Sequence, residues 1–149
     1  MTNRPLIIGF GNTLRQDDGL GWRAAEIVEQ SGAAAEVIVC HQLTPELLLR
    51  LESAPLAIFL DAAVDQPPGE IRARPVTAAG GWRGAHHLTP SQLLGLAESI
   101  GQPVCPATLI TGGAFETNVS EQLTQKGERC ANEMARLALD LLQTPLCAL

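Results

Sequence analysis

The strongest structural signal in this chain is the segment PLIIGFGNTLRQDDGLG, which spans residues 5–21. Its apolar beginning, residues 5–10, predicts a buried strand. Gly9 and Gly11 allow the backbone to turn sharply or to approach another group closely. Two adjacent carboxylates, Asp17 and Asp18, then stand where a helix is expected to begin. The segment therefore predicts a strand, a glycine turn and a negatively charged helix start. Gly19 and Gly21 complete this structural motif.

A glycine-rich turn after a strand is also typical of nucleotide-binding loops, but this one lacks their features. A dinucleotide-binding loop would need a third glycine at the position of Leu14, and no Walker lysine follows. A phosphate at this helix start would meet two carboxylates of like charge. The remaining alternatives are simple capping of the helix, which its dipole favours, and a site built around the acids.

Composition limits the range of functions. A chain of 149 residues predicts a single domain, residues 1–149, with a sizeable core. The formal charge of −6 argues against nucleic acid and anionic membranes as partners. We expect no membrane span and no signal peptide, and hence a cytoplasmic protein. The four cysteines lack metal-site spacing and are expected to be buried thiols: Cys40, Cys105, Cys130 and Cys147.

Strand and helix patterns alternate along the chain. This alternation predicts a three-layer α/β/α sandwich with a mostly parallel, roughly five-stranded twisted sheet. Residues 70–76 alternate charged and apolar side chains, which indicates an edge strand and is compatible with antiparallel pairing. The other predicted strands are 5–10, 36–41, 56–60 and 104–110, and the predicted helices are about 18–30, 45–51, 90–100 and 124 onward.

Acidic residues and histidines are expected at one edge of this sheet. Asp17 and Asp18 follow the first strand, Asp61 ends the third, and His86 and His87 precede a capped helix. In open α/β sheets, ligands bind beyond the carboxyl ends of the strands. Two carboxylates and an imidazole suit zinc or nickel and leave coordination positions open. Taken singly, each residue also fits a turn cap or a solvated loop. A magnesium-binding receiver domain would need a lysine after its last strand, and none follows Ile110 before Lys126.

The order of motifs resembles the nickel–iron hydrogenase maturation endopeptidases. The opening motif is specific in length and spacing, and three weaker motifs follow it in order, to about residue 100. The matching motifs are G-x-GN-x-L-x-x-DDG-x-G at 9–21, QLTPEL at 42–47, FLDA at 59–62 and H-x-x-TP-x-x-LL at 86–94.

The resemblance implies a site and a substrate. In this family, a short C-terminal peptide is removed from the hydrogenase large-subunit precursor after nickel insertion, and nickel in that substrate is recognised by two carboxylates and a histidine. These roles fall on Asp18, Asp61 and His86, which would be both catalytic and metal-binding, with His87 as the alternative to His86. Many members carry glutamate where Asp18 stands, so this ligand is one methylene shorter.

The identity of the metal, the substrate-binding residues and the oligomeric state are less closely defined by the sequence. Zinc or another divalent ion is an acceptable substitute for nickel, and no serine or cysteine nucleophile is evident. Asn12, Trp82 and Arg83 are expected to bind substrate, the last two from a glycine loop at 80–84 that either orders over the substrate or packs on the core. Residues 111–116 depart from the family pattern. The alternative function is a non-catalytic, nickel-sensing or chaperone-like module, and the oligomeric state stays open.

Overall fold

A computed structural model describes residues 3–84 and 87–143. Within them, five strands form one sheet in the order β2-β1-β3-β5-β4, in which β4 runs antiparallel to β5 and the other neighbours are parallel. The predicted three-layer, mostly parallel architecture is confirmed, as is the edge position of β4. The strands are β1 Leu6–Phe10, β2 Glu36–Cys40, β3 Ala57–Ala63, β4 Ile71–Pro75 and β5 Ala107–Gly113.

Helices cover both faces of the sheet. The helix predicted from Asp18 begins at Leu20, because residues 16–19, including both acids, form a tighter 3-10 turn. A similar turn precedes the short second helix. The helices are α1 Leu20–Gln30, α2 Leu48–Leu51, α3 Pro90–Ser99 and α4 Gln125–Gln143. None of them, within the described parts of the chain, is long and apolar enough to cross a membrane.

The core consists of two apolar clusters, one on each face of the sheet, as the alternation of side chains along a strand requires. Ile7 and Ile58 lie on the face covered by α1 and α4, whereas Ile8 and Phe59 lie on the face covered by α2 and α3. All four are fully buried. The central strands β1 and β3 are thus apolar on both faces, which accounts for their continuous apolar runs.

Two strands have boundaries that differ by three residues from the prediction. The apolar run of β3 ends at Leu60, but its pairing with β5 continues to Ala63, so Asp61 lies inside the strand. Likewise, β5 starts at Ala107 rather than at 104 and ends at Gly113 rather than at 110. At the carboxyl ends of β3 and β5, small residues continue the ladder of hydrogen bonds without adding apolar bulk. The apolar pattern of the sequence therefore stops before the strands do.

The motif glycines bring α1 close to the sheet. A Cβ on Gly9 would overlap the carbonyl oxygen of Gly21 and the Cβ of Ala25, and a Cβ on Gly21 would overlap the carbonyl oxygen of Leu60. Only glycine fits at both positions, so the start of α1 lies directly against β1 and β3. Gly19 is different, since an added Cβ would lie 3.4 Å from the Cα of Thr13, and packing does not explain this glycine.

Candidate active site

A crevice of about 440 Å³ lies at the carboxyl ends of β1, β2 and β3. Its walls include both predicted metal-binding carboxylates, Asp18 and Asp61. The two acids meet there because β1 and β3 are parallel neighbours, which is the condition that the predicted convergence required. The complete lining is Phe10, Gly11, Asn12, Asp18, His41, Gln42, Leu43, Asp61, His87, Leu88, Thr89 and Pro90.

Asp61 is a carboxyl group held in an environment that disfavours its charge. It lies on the central strand, and its Oδ1 accepts a hydrogen bond of 2.8 Å from the backbone N–H of Ala62. The pKa of Asp61 is raised from 3.8 to about 7: burial is the largest cause, the hydrogen bond from Ala62 N–H lowers the pKa, and the negative charge of Asp18 raises it. Near neutral pH, Asp61 is therefore poised to exchange a proton or to accept a cation.

Asp18 is held by the loop that follows β1. Its Oδ2 accepts a 3.1 Å hydrogen bond from the backbone N–H of Asn12, and the side chain of Asn12 accepts one of 2.9 Å from Leu14 N–H. Gly11 precedes this turn at a φ of +146°, and a Cβ there would overlap the carbonyl oxygen of Asp18. Asn12 and Gly11 thus shape the loop that orients Asp18; substrate binding by Asn12 stays a prediction.

Two described histidines line the crevice: His87, just before α3, and His41, just after β2. The preferred candidate, His86, lies outside the described residues. The alternative, His87, is exposed and lines the crevice beside Leu88, which pairs with Leu43 through an isolated bridge. The helix after them begins with the predicted capping box of Thr89 and Gln92, with both bonds at 3.1 Å.

His41 is a crevice residue that the sequence reasoning missed. It follows β2 directly, lines the crevice, and its ring centroid lies 5.1 Å from that of Trp22 on α1. The signal was available, because β2 is parallel to β1 and its carboxyl end reaches the same edge.

The side chain of Asp17 caps neither the 3-10 turn nor α1, so the prediction of helix capping is wrong for this residue. Its side chain is completely buried and accepts bonds from Phe115 N–H at 3.0 Å, Glu116 N–H at 3.3 Å and Thr124 N–H at 2.9 Å. The hydroxyl of Thr124 donates a further bond at 2.9 Å. Gly127 packs against the carboxylate, where a Cβ would overlap it. Asp17 therefore ties the Asp18 loop to the end of β5 and to the start of α4.

The loop at 80–84 supplies one packed and one exposed side chain. Trp82 is half-buried and contacts the apolar cluster under α2 and α3, whereas Arg83 is exposed. The packing of Trp82 on the core is the alternative that the sequence left open. Within the part described, Gly80, Gly81 and Gly84 have open space where a side chain would be.

The described cysteines are free thiols; Cys130 is buried as expected, whereas Cys40 and Cys105 are only half-buried. Burial raises the pKa of Cys40 and Cys105, and burial together with the charges of Glu133 and Asp17 raises the pKa of Cys130 to about 11. High pKa values disfavour the thiolate, the form that acts as nucleophile and metal ligand. Cys147 lies outside the described residues.

Several solved structures have the same architecture as this chain. The [NiFe] hydrogenase maturation protease HycI from Thermococcus kodakarensis KOD1 superimposes with a TM-score of 0.74 at 21% identity, covering 95% of this chain and 94% of that one. The chain has the fold of the hydrogenase maturation proteases. The maturating endopeptidase HybD from E. coli gives 0.72 at 20% identity, with 94% and 92% covered.

A third maturation-protease structure has higher sequence identity. The hydrogenase 2 maturation peptidase from Thaumarchaeota archaeon SCGC_AB-539-E09 is 25% identical, with a TM-score of 0.68 and 93% and 97% of the chains covered. No protein-family model and no curated protein matches the chain. The maturation-protease fold is therefore recognisable here from structure and motif order at low overall identity.

Residues 111–116, which the resemblance sets apart from the family pattern, lie at the end of β5 and just after it. Residues 111–113 end β5, and residues 115–116 donate the backbone bonds that Asp17 accepts. A Cβ on Gly112 would lie 2.6 Å from the sulfur of Met134 and 2.9 Å from that of Cys130. Gly112 thus allows α4 to pack closely against β5. Among residues 3–84 and 87–143, no group of three His, Cys, Asp or Glu side chains could hold a metal ion.

Proposed function

We propose that this protein is an endopeptidase that removes a C-terminal peptide from the large-subunit precursor of a nickel–iron hydrogenase after nickel has been inserted. The observation that carries the proposal is the presence of Asp18 and Asp61 in one crevice of a maturation-protease fold. These are the two positions to which the sequence resemblance assigns metal recognition.

In this function, nickel is bound to the precursor and arrives with it as part of the substrate. Asp18 and Asp61 supply carboxylate oxygens, and the third ligand comes from the histidine pair, with His86 first and His87 as its neighbour in the chain. Oxygen and imidazole donors suit nickel and zinc, and a three-residue set leaves positions for ligands from the precursor. The pKa of Asp61, raised to about 7, adds a chemical consequence. Binding of a cation displaces the proton of Asp61, so recognition weakens as pH falls below that value.

Cleavage would follow once the precursor is seated. The leaving nitrogen gains a proton and the carbonyl carbon gains the hydroxyl of a water. Polarisation of that carbonyl, or activation of that water, is the contribution of the precursor's nickel. The raised pKa values of the described thiols support a mechanism without a cysteine nucleophile.

The test compares nickel-loaded with nickel-free precursor and measures the mass of the large subunit. We expect cleavage of the loaded form alone, with a smaller effect of zinc loading. Asp18→Asn, Asp61→Asn and His86→Ala should each abolish processing, whereas Asp65→Asn, an exposed carboxylate in the turn after β3, should retain it. A parallel His87→Ala variant assigns the third ligand. Equal cleavage of both precursors, or full activity of Asp61→Asn, would overturn the proposal. Tight binding without cleavage would instead establish the non-catalytic nickel-sensing alternative.

A further inference from the structure

A second groove lies on the other side of the Asp18 loop. We call it the Trp22 groove; it is formed by Leu14 in that loop, by Trp22, Arg23 and Glu26 on α1, and by Glu121 and Leu123 before α4. Its volume is about 320 Å³, at the lower end of the roughly 300–1,000 Å³ of ligand pockets. This is room for one or two amino-acid side chains, and too little to enclose a large cofactor.

The Trp22 groove adjoins the candidate active site. Trp22 forms part of the groove, and its ring packs 5.1 Å from the ring of His41, which lines the crevice that contains Asp18 and Asp61. The loop between the two cavities is short, since Asn12 lines the crevice and Thr13 lines the groove. An extended chain that occupies the crevice can therefore continue past this loop into the groove.

The groove has an apolar floor. Trp22 and Leu123 are half-buried, and Leu14 is 52% exposed. Aromatic and aliphatic groups in a partly enclosed pocket are the common anchors of peptide side chains. The floor thus favours a large apolar side chain.

The rim of the groove is acidic. Arg23 is the only cation among the described lining residues, and its charge is already compensated, by Glu128 at 2.8 Å and by Glu26 at 3.8 Å. Glu121 is exposed and has no cation of its own in the described part of the chain. A ligand with a positive charge complements this rim, whereas an acidic segment would be repelled.

We propose that the Trp22 groove binds the precursor chain next to the bond that is cut, as an extended segment with a large apolar side chain and a lysine or arginine. The apolar side chain packs on Trp22 and Leu123, and the basic one lies against Glu26 and Glu121. This assignment rests on the proposed function. It makes the groove a determinant of which precursor is accepted, separate from the metal-recognising crevice.

Steady-state processing of nickel-loaded precursor tests the groove. We expect Trp22→Ala to raise KM about tenfold or more, the scale of an interface anchor, with kcat changed much less, and Trp22→Phe to retain most of the affinity. The surface double variant Glu26→Gln/Glu121→Gln should raise KM a few-fold and weaken the salt dependence of KM. Leu49→Ala, at a 76% exposed leucine on α2, is the matched control and should leave both constants unchanged.

A second measurement separates failure of the groove from failure of the proposed function. A synthetic peptide that spans the cut of the precursor is titrated by calorimetry into the wild-type protein and the same variants. If wild type cleaves the precursor while KM and peptide affinity are unchanged in Trp22→Ala and in the double variant, the groove assignment is wrong and the proposed function stands. If no precursor is cleaved, peptide binding that depends on Trp22 still supports the groove. If no precursor is cleaved and no peptide binds, the groove assignment and the proposed function are both wrong.

Discussion

Replacing Asp61 by asparagine should make the protein more stable above neutral pH. Burial raises the pKa of Asp61 from 3.8 to about 7 in the native state. Between these values the native state holds a proton that the unfolded state has released, so stability falls as pH rises through this window and levels off above it. The interval corresponds to about 4 kcal/mol, because one pH unit is worth about 1.4 kcal/mol.

Asparagine is neutral at every pH and avoids this loss. Its side-chain oxygen can accept the hydrogen bond that Ala62 N–H now donates to Asp61. Below about pH 4, where Asp61 is protonated in both the native and the unfolded state, the two proteins should have nearly equal stability, and at pH 5 the variant should already be more stable by about 1.5 kcal/mol. At pH 8 the variant should be more stable by about 2–4 kcal/mol, the lower value allowing for imperfect burial of the amide.

Urea unfolding at pH 5, 6, 7 and 8, with a chelator present, measures this difference. The matched control is Asp65→Asn, since Asp65 is exposed four residues further along the chain and its variant should follow the wild-type profile. Parallel pH profiles for wild type and Asp61→Asn would refute the reasoning. So would an Asp61→Asn protein that is less stable than wild type at pH 8. Either result would mean that Asp61 is solvated and that its site is open in solution.

Three further predictions concern the framework around the site. Asp17→Asn leaves backbone donors without a charged acceptor and should lower the free energy of unfolding by about 2–4 kcal/mol in urea titrations, against less than about 0.5 for Asp65→Asn; equal losses would contradict the anchoring role. Gly21→Ala forces α1 away from the sheet and should cost about 1–3 kcal/mol, or several degrees in Tm by circular dichroism, whereas Gly80→Ala meets open space and should be neutral. Cys130, with a pKa of about 11, should react with a thiol reagent at pH 8 about 100-fold more slowly in the folded than in the unfolded protein. Peptide mapping of the labelled sites measures this rate, and rapid labelling of Cys130 in the folded protein would contradict the prediction.

The sheet could be predicted because its central strands carry an unmistakable pattern. β1 and β3 are apolar on both faces, and an open parallel sheet brings their carboxyl ends to one edge. Together these properties place Asp18 and Asp61 in one crevice. The ends of β3 and β5 were missed because pairing there is maintained by alanine and glycine, which have no apolar pattern to detect.

The different roles of the two adjacent aspartates could not be predicted from sequence. Both fit a helix start, and both lie within three residues of Arg15, so sequence gives them the same surroundings. What separates them is tertiary: the donors that surround Asp17 come from residues 115, 116 and 124, far along the chain. The position of His41 could have been inferred from the order of the strands once β2 was placed beside β1.

The anchorage of Asp17 has a consequence for how this site can evolve. Its carboxylate joins the loop of Asp18 to Thr124, 107 residues away in sequence. A change in the first turn of α4 therefore acts on Asp18 through one buried carboxylate, without any substitution in the crevice itself. Substitutions far from the crevice can therefore change substrate preference in such a protein. A directed library over residues 115–127 would test this while leaving every crevice residue unchanged.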